Sequence, residues 1–401
     1  MEIRYPLAAV LTAILITYVA GVGAARLIYR VGFRPHAGKR IGCIDGLRGY
    51  LALSVLIHHF IIWVQLTRLG GGWSPPTVNL FNSLGSAAVA LFFMVTGCLF
   101  YPIVQLGFRS TPWSAVYLKR LFRIMPLVML SVMMVSVVVL LRSPVPNIAL
   151  SDALRFAKWV TSWGEPDLFG YRDTGRINAY VLWSLWFEWV FYLALLPSCA
   201  LAADYLRGKV PSLAVPILFL VVGLALRWAD LAIAQFLPLF AIGMIAFEIQ
   251  ESAPTRLLKS NSAGLLAAIG MVVAANAWSF PYGVPALSLY AFFFICVVSG
   301  NTFFGLLSSP AAQVLGECSF GIYLLHGIIL SVLFTDGSKL VALIPTPMLF
   351  GILPILSCFV VFVAAMVFRF AERPMIGLGG DIAKQLRSSV LLLRRGARPL
   401  S

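Results

Sequence analysis

From residue 6 to residue 370 the chain repeats one pattern: a continuous apolar run, a short polar connection, then another run. The runs are about 18 to 25 residues long, enough for a helix to cross a hydrocarbon core of about 30 Å. They fall at 6–28, 44–66, 84–105, 120–141, 180–202, 211–227, 231–249, 262–279, 284–300, 313–334 and 348–370. Apolar residues fill each run instead of alternating with polar ones, so the pattern predicts helices and argues against a barrel of short strands. The expected fold is an all-α, polytopic membrane helical bundle of about 10–11 transmembrane helices. No polar stretch is long enough for a separate soluble domain, and no internal repeat or low-complexity segment is present. The chain divides into an additional N-terminal helix with a basic connection (1–40), the main membrane domain (41–375) and a basic tail (376–401).

Composition narrows the solvent further. Hydrophobic residues make up 60% of the 401 positions, charged ones 11%, and the mean hydropathy is +0.93, values no ordinary soluble domain reaches. A net charge of +15 raises nucleic acid as a partner, but the basic residues sit in the short connections between apolar runs, where they set orientation. No nucleic-acid partner is expected; the lipid bilayer is. With the connection at 29–43 facing the cytoplasm, Arg26, Arg30, Arg34, Lys39, Arg40, Arg109, Lys119, Arg120, Arg123 and the tail lie inside. Twenty of the thirty Lys and Arg then fall inside, nine outside and Arg48 within a span. The expected location is a bacterial inner membrane, with the amino terminus outside and the tail cytoplasmic. Read instead as a cleaved signal peptide, the first run would leave the segment Arg26 to Arg40 outside and invert this balance. The six cysteines are scattered without paired spacing, so neither a metal nor a disulfide framework is expected. The longest polar connection, 142–179, carries Trp159, Trp163, Asp167, Arg172, Asp173 and Arg176, and its start suits a short interfacial helix.

Ionisable groups inside the spans are few. Each costs roughly 2.5–3.5 kcal/mol at a helix centre on insertion scales, so each is a candidate site residue. The second span opens Asp45-Gly46-Leu47-Arg48-Gly49 and runs on to His58-His59. Arg48 and His59 are eleven residues apart, about three helical turns, which places them on one face roughly 16 Å apart along the axis. Glu188, in Trp183-Ser184-Leu185-Trp186-Phe187-Glu188, lies at a similar depth, as do His326 and Tyr323, with Ser319 and Glu317 nearer the inner end of the same span. Arg48, Lys119, Arg120 and Arg123 collect near the inner face, where they suit phosphates. Against each stands a plainer reading: a buried His or Glu also serves as an interhelical hydrogen-bonding group, Arg120 and Arg123 also anchor topology, and Tyr323 also simply packs.

The same residues carry a resemblance. Asp45-Gly46-Leu47-Arg48-Gly49 with His59 resembles the arginine, ten residues, histidine signature of the acyltransferase 3 family of membrane O-acyltransferases. Ala90-Leu91-Phe92-Phe93-Met94-Val95-Thr96-Gly97 resembles its second-helix block, and Arg120-Leu121-Phe122-Arg123-Ile124-Met125-Pro126 the basic start of the third. Trp183-Ser184-Leu185 with Glu188 and Phe191-Tyr192, then Leu315-Gly316, Ser319-Phe320 and Tyr323-Leu324-Leu325-His326, then Phe370-Ala371-Glu372-Arg373-Pro374 follow in family order. The likeness covers roughly residues 40–375. Two departures stand out: Trp189 replaces a second acid, and His58 adds an imidazole beside His59.

What the resemblance implies is transfer of an acyl group, usually acetyl, from a cytoplasmic acyl-CoA (acetyl-CoA) to a hydroxyl of a carbohydrate or glycolipid acceptor, such as an exopolysaccharide or lipopolysaccharide sugar. On that footing Arg48, Arg120 and Arg123 hold the CoA phosphates, and His59 acts as general base with Glu188 orienting it. A transient acyl-histidine is the alternative chemistry. Asp45, His58, Ser319, Tyr323 and His326 are expected to line the acceptor site or donate to the oxyanion. The competing function is a proton-coupled transporter built on the same buried His, Glu and Arg.

Overall fold

A computed structural model describes residues 6–35, 42–143, 148–252 and 255–396. Lys39, Arg40 and the final residues of the tail lie outside them. Among the described residues the fold is helical without strands. The helices are α1 (Leu7–Arg30), α2 (Gly42–Arg68), α3 (Asn79–Leu106), α4 (Trp113–Arg142), α5 (Ser151–Val160), α6 (Trp183–Val190), α7 (Leu196–Leu206), α8 (Ala214–Trp228), α9 (Leu237–Ser252), α10 (Asn261–Ala277), α11 (Val284–Val298), α12 (Pro310–Ser331), α13 (Ser338–Ala342), α14 (Thr346–Leu349), α15 (Ile352–Val367) and α16 (Arg373–Gly396). Among the described residues, seven helical segments are long and apolar enough to cross a membrane: α1 to α4, Trp183–Leu206, Pro310–Asp336 and Thr346–Leu386. The protein is therefore a multi-pass membrane protein. α8, α10 and α11 are apolar but shorter, at 15 to 17 residues, and α9 has 16. Each expected run is met by a helix, but these four are short of the roughly 20 residues that cross a bilayer upright. The start of the 142–179 connection does fold as a short helix, α5.

The bundle is centred on α2 and α12, which lie side by side and run in the same direction. Gly46 packs on Leu307, Gly49 on Leu315, and further along His59 meets His326. A Cβ on Gly316 would stand 2.0 Å from the Asp45 carbonyl oxygen, and one on Gly49 would stand 2.4 Å from Leu315 Cβ. Only glycine admits this approach, and in lipid, where helices gain little from hydrophobic association, such backbone contact supplies dispersion energy and fixes register. α3 and α9 use the same device reciprocally: a Cβ on Gly97 or Gly243 would sit 2.0 Å from the carbonyl of Phe240 or Met94. The additional helix α1 is tied to α2 and α15, with Tyr18 bonded to Ser54 at 2.6 Å and Ser357 donating to the Thr17 carbonyl at 3.1 Å.

Three π-helical turns interrupt the long helices, at Phe191–Leu195, Val332–Asp336 and Phe368–Glu372. Such turns add a residue to the ladder, re-aim the side chains beside them and recur at functional sites. Here the first carries Tyr192 and the last Glu372.

Candidate functional site

The site is built in two storeys along α2 and α12. The lower one is a cavity among α2, α3, α4, α6 and α12, lined by Arg48, Phe92, Phe93, Thr96, Phe100, Arg120, Arg123, Ser184, Glu188, Tyr192, Ser319 and Tyr323 with their apolar neighbours. A second cavity opens beside it under α16, lined by Arg48, Lys119, Arg120, Arg123, Glu317, Phe368, Glu372, Arg373, Ile376 and Gly380. Arg48, Arg120 and Arg123 belong to both and form the partition between them. The two cavities together set five basic side chains (Arg48, Lys119, Arg120, Arg123, Arg373) against three carboxylates (Glu188, Glu317, Glu372). The balance suits an anion that enters one cavity and reaches the other past the arginines.

Two of the arginines are held before any ligand arrives. Arg48 pairs with Asp45 one turn earlier at 3.4 Å, and the Arg120 guanidinium lies over the Phe100 ring at 5.0 Å. Glu188 accepts from Tyr192 at 3.2 Å, and the charges acting on it are those of Arg123, Arg120 and Arg48. Glu372 is 2% exposed, and its Oε2 has no hydrogen-bond partner. At the far end of the lower cavity the Ser184 and Tyr323 hydroxyls bond each other at 2.8 Å, and both lie within reach of the Val181 carbonyl.

One turn of α12 beyond Tyr323 begins the upper storey. His326 is fully buried, and its Nδ1 lies 3.0 Å from the Ile322 carbonyl oxygen. A carbonyl only accepts, so this nitrogen carries the proton, and in the neutral ring Nε2 holds the lone pair. That lone pair faces His59 Nδ1 at 2.9 Å and must accept from it. His59 is thereby fixed as the Nδ1–H tautomer, with an unprotonated Nε2 left to act. Its side is partly open, whereas His58 and His326 are buried. Over the opening lie the Trp73 ring, 15° from parallel with His59 at 6.5 Å between centroids, and the Tyr180 ring, 5.9 Å from Trp73.

The segment that brings Tyr180 there is strained. Ala179 and Tyr180 both take left-handed backbone angles, φ 59° and 52°, at a cost of about 1–2 kcal/mol each for residues bearing a Cβ. Tertiary contacts hold them: Tyr180 N–H donates to Gly175 O at 2.8 Å, and Gly327, next to His326, leaves room for the Asn178–Ala179 peptide, since a Cβ there would meet Asn178 C at 2.3 Å. Behind them Glu165 accepts from the Leu182 N–H at 2.8 Å. Although part of its stem is exposed, its carboxyl end is enclosed and Oε2 lacks a partner. Burial pushes its pKa up to about 8, against the lowering pull of Leu182 N–H and Asn178.

The geometry divides the expected site residues between the two storeys. Glu188 does not orient His59; it belongs to the arginine cavity, and the group that holds His59 is His326, which was expected at the acceptor. Ser319 and Tyr323 line the arginine cavity too, so they stand on the side of the basic residues. The Ser319 hydroxyl donates to the Gly316 carbonyl of its own helix at 2.8 Å. His58 is engaged elsewhere: its Nδ1 donates to Phe81 O at 2.9 Å, and Gly85 packs against its ring. Asp45 holds Arg48. Arg48 and His59 do lie along one side of α2, but the lower cavity stops at Ser184 and Tyr323, short of His59. Trp73, Tyr180 and Glu165 were not anticipated, although a tryptophan in Gly70-Gly71-Gly72-Trp73-Ser74-Pro75-Pro76 is an anomaly that composition alone marks.

Fold and site together define a multi-pass membrane protein that holds a hydrogen-bonded imidazole pair between a cationic double cavity and a loop-covered face. A family model described as an acyltransferase domain, that of acyltransferase 3, matches residues 41–369. The chain belongs to the acyltransferase 3 family and is a membrane acyltransferase. Neither the comparison with curated proteins nor that with solved structures gives a match. The matched region contains both storeys except the Glu372 and α16 side of the second cavity.

Proposed function

We propose that the protein transfers an acyl group, acetyl in the simplest case, from acyl-CoA to a hydroxyl of a carbohydrate or glycolipid. The observation that carries this reading is the hydrogen-bond chain from the Ile322 carbonyl through His326 to His59, which leaves His59 Nε2 as a base just beyond an arginine-lined cavity. The phosphates of the donor sit among Arg48, Arg120, Arg123, Lys119 and Arg373, where charge-assisted contacts are strongest. The narrow pantetheine arm passes the arginines into the lower cavity, so that the thioester arrives near Ser184 and Tyr323. Basic residues collect on the donor side, which makes that side cytoplasmic under the positive-inside bias and fits a bacterial inner membrane.

In the reaction His59 Nε2 takes the proton of the acceptor hydroxyl as its oxygen bonds to the thioester carbonyl carbon. The C–S bond breaks, and the departing thiolate recovers that proton from the imidazolium, giving an ester and free CoA. His326 stabilises the transient imidazolium by accepting Nδ1–H throughout, and the Ser184–Tyr323 pair supplies a hydroxyl to the oxyanion. No metal takes part in this scheme.

The decisive test is thiol release from acetyl-CoA and acyl gain on surface glycans, compared between wild type and His59→Ala. A loss of about 10²–10⁴-fold is expected with the protein still inserted and abundant. Wild-type product from the variant overturns the assignment.

A further inference from the structure

We infer that Trp73 and Tyr180 form the acceptor subsite, an aromatic corner that takes the C–H face of a saturated, hydroxylated ring and presents one hydroxyl to His59. The inference rests on the reading of His59 as the base. Three observations carry it.

First, the corner covers the partly open imidazole of His59, the one such imidazole among the described residues. Trp73 runs nearly parallel to His59, and Tyr180 closes against Trp73 at 58°, so two aromatic faces meet beside the His59 ring. Both rings are themselves partly exposed, which leaves surface for a ligand.

Second, each ring is fixed from behind. The amide nitrogen of the buried Gln65 reaches Gly72 O and Ser74 O at 3.1 Å and Ser74 Oγ at 2.9 Å, which ties down the glycine-rich turn carrying Trp73. Trp63 packs edge-on at 5.3 Å and is itself stacked on Phe334. Tyr180 is set by the two left-handed residues described above, and its ring occupies the space over Gly175, where a Cβ would come within 2.3 Å. A covering loop needs none of this; preorganised aromatic surface at a binding site does, because rigid rings bind at low entropic cost.

Third, the rim is polar. Asp173, Arg176 and Asp167 act electrostatically on the Tyr180 hydroxyl, and Asp173 pairs with Arg176 at 2.5 Å. An apolar wall bordered by carboxylates and a guanidinium matches a sugar ring, apolar on one face and hydroxylated at its edge. A linear alkyl alcohol offers the wall less contact and the rim nothing.

The test uses the full-length protein and two measurements: mass spectrometry of acylated surface glycans in cells expressing each variant, and acetyl-CoA affinity of the purified protein by calorimetry. Trp73→Ala and Tyr180→Ala are expected to cut glycan acylation at least tenfold with acetyl-CoA affinity unchanged, while Trp73→Phe and Tyr180→Phe, which keep the faces, retain most of it. The inference is overturned if either alanine variant acylates like wild type, if acetyl-CoA affinity falls in step with acylation, or if the acylated product contains no ring. His59→Ala in the same series separates the two readings. Acylation surviving that change removes the base assignment, whereas an intact phenotype of Trp73→Ala and Tyr180→Ala beside a dead His59→Ala removes only the subsite.

Discussion

The two ends of α2 are built on opposite principles. At the Asp45–Gly49 end the helix lies backbone to backbone against α12, glycine on carbonyl, and the ionic groups are local, Arg48 on Asp45. At the His59 end the helices meet through side chains, and loops supply what surrounds them: Trp73 from one connection, Tyr180 and Glu165 from another. One end is a rigid joint that sets register, the other an adjustable chamber whose shape depends on strained backbone. On the function proposed above, the contrast would let donor handling be held constant by helix packing while acceptor choice is varied in loops, without disturbing His59 between them.

The sharpest way to break this comparison is at the imidazole pair. His326→Ala removes the acceptor for His59 Nδ1–H, and transfer should fall by about 10²-fold or more. His326→Gln, whose carbonyl oxygen can accept the same proton, should recover a substantial part; equal loss in both variants would mean that His326 acts by packing alone. The rigid joint is probed by Gly316→Val. Its Cβ would stand 2.0 Å from Asp45 O, and overpacking of about 1–3 kcal/mol or more should appear as a lower unfolding temperature in detergent together with loss of activity. An unchanged melting temperature would show that the joint yields.

A smaller effect is expected at the partition between cavities. Arg120→Ala should raise the KM for acyl-CoA about tenfold, equivalent to about 1.4 kcal/mol, with acceptor KM unmoved. Unchanged saturation by donor would return Arg120 to a role in topology. The smallest concerns the loop. Glu165 has a pKa of about 8 in the folded chain, above its ordinary 4.5, so folding favours the protonated form. Stability of the loop is full below the ordinary value, declines as pH rises from about 4.5 towards 8, and levels off beyond. Hydrogen-exchange protection factors across 162–182, taken relative to the intrinsic rate at each pH, should therefore fall over that range, and Glu165→Gln should remove the trend. An identical pH dependence in the glutamine variant would assign it to another group.

Much of this was legible one dimension at a time. Apolar runs announced the helices because in lipid a spanning backbone must satisfy its own hydrogen bonds, and that demand is local and written in consecutive residues. The cost of buried charge likewise marked Arg48, His59, Glu188 and His326 from sequence alone. The spacing of Arg48 and His59 on one side of α2 needed nothing but helical geometry. The four short helices fall short of an upright span because their apolar runs are themselves only 17 to 19 residues long.

Partnership was a different matter. Nothing in the chain says that residue 326 faces residue 59, that Glu188 turns to the arginines, or that Ser319 and Tyr323 line the arginine cavity, because those pairings depend on the relative rotation and register of separate helices. That rotation is set where glycines at 46, 49 and 316 let two backbones touch, a three-dimensional fit with no one-dimensional signature. Trp73 and Tyr180 were further out of reach, since their positions follow from loop conformations that local preference opposes and that contacts with Gln65, Gly175 and Gly327 enforce. The sequence determined which groups the membrane protein would carry at depth; the tertiary structure decided which of them act on one another.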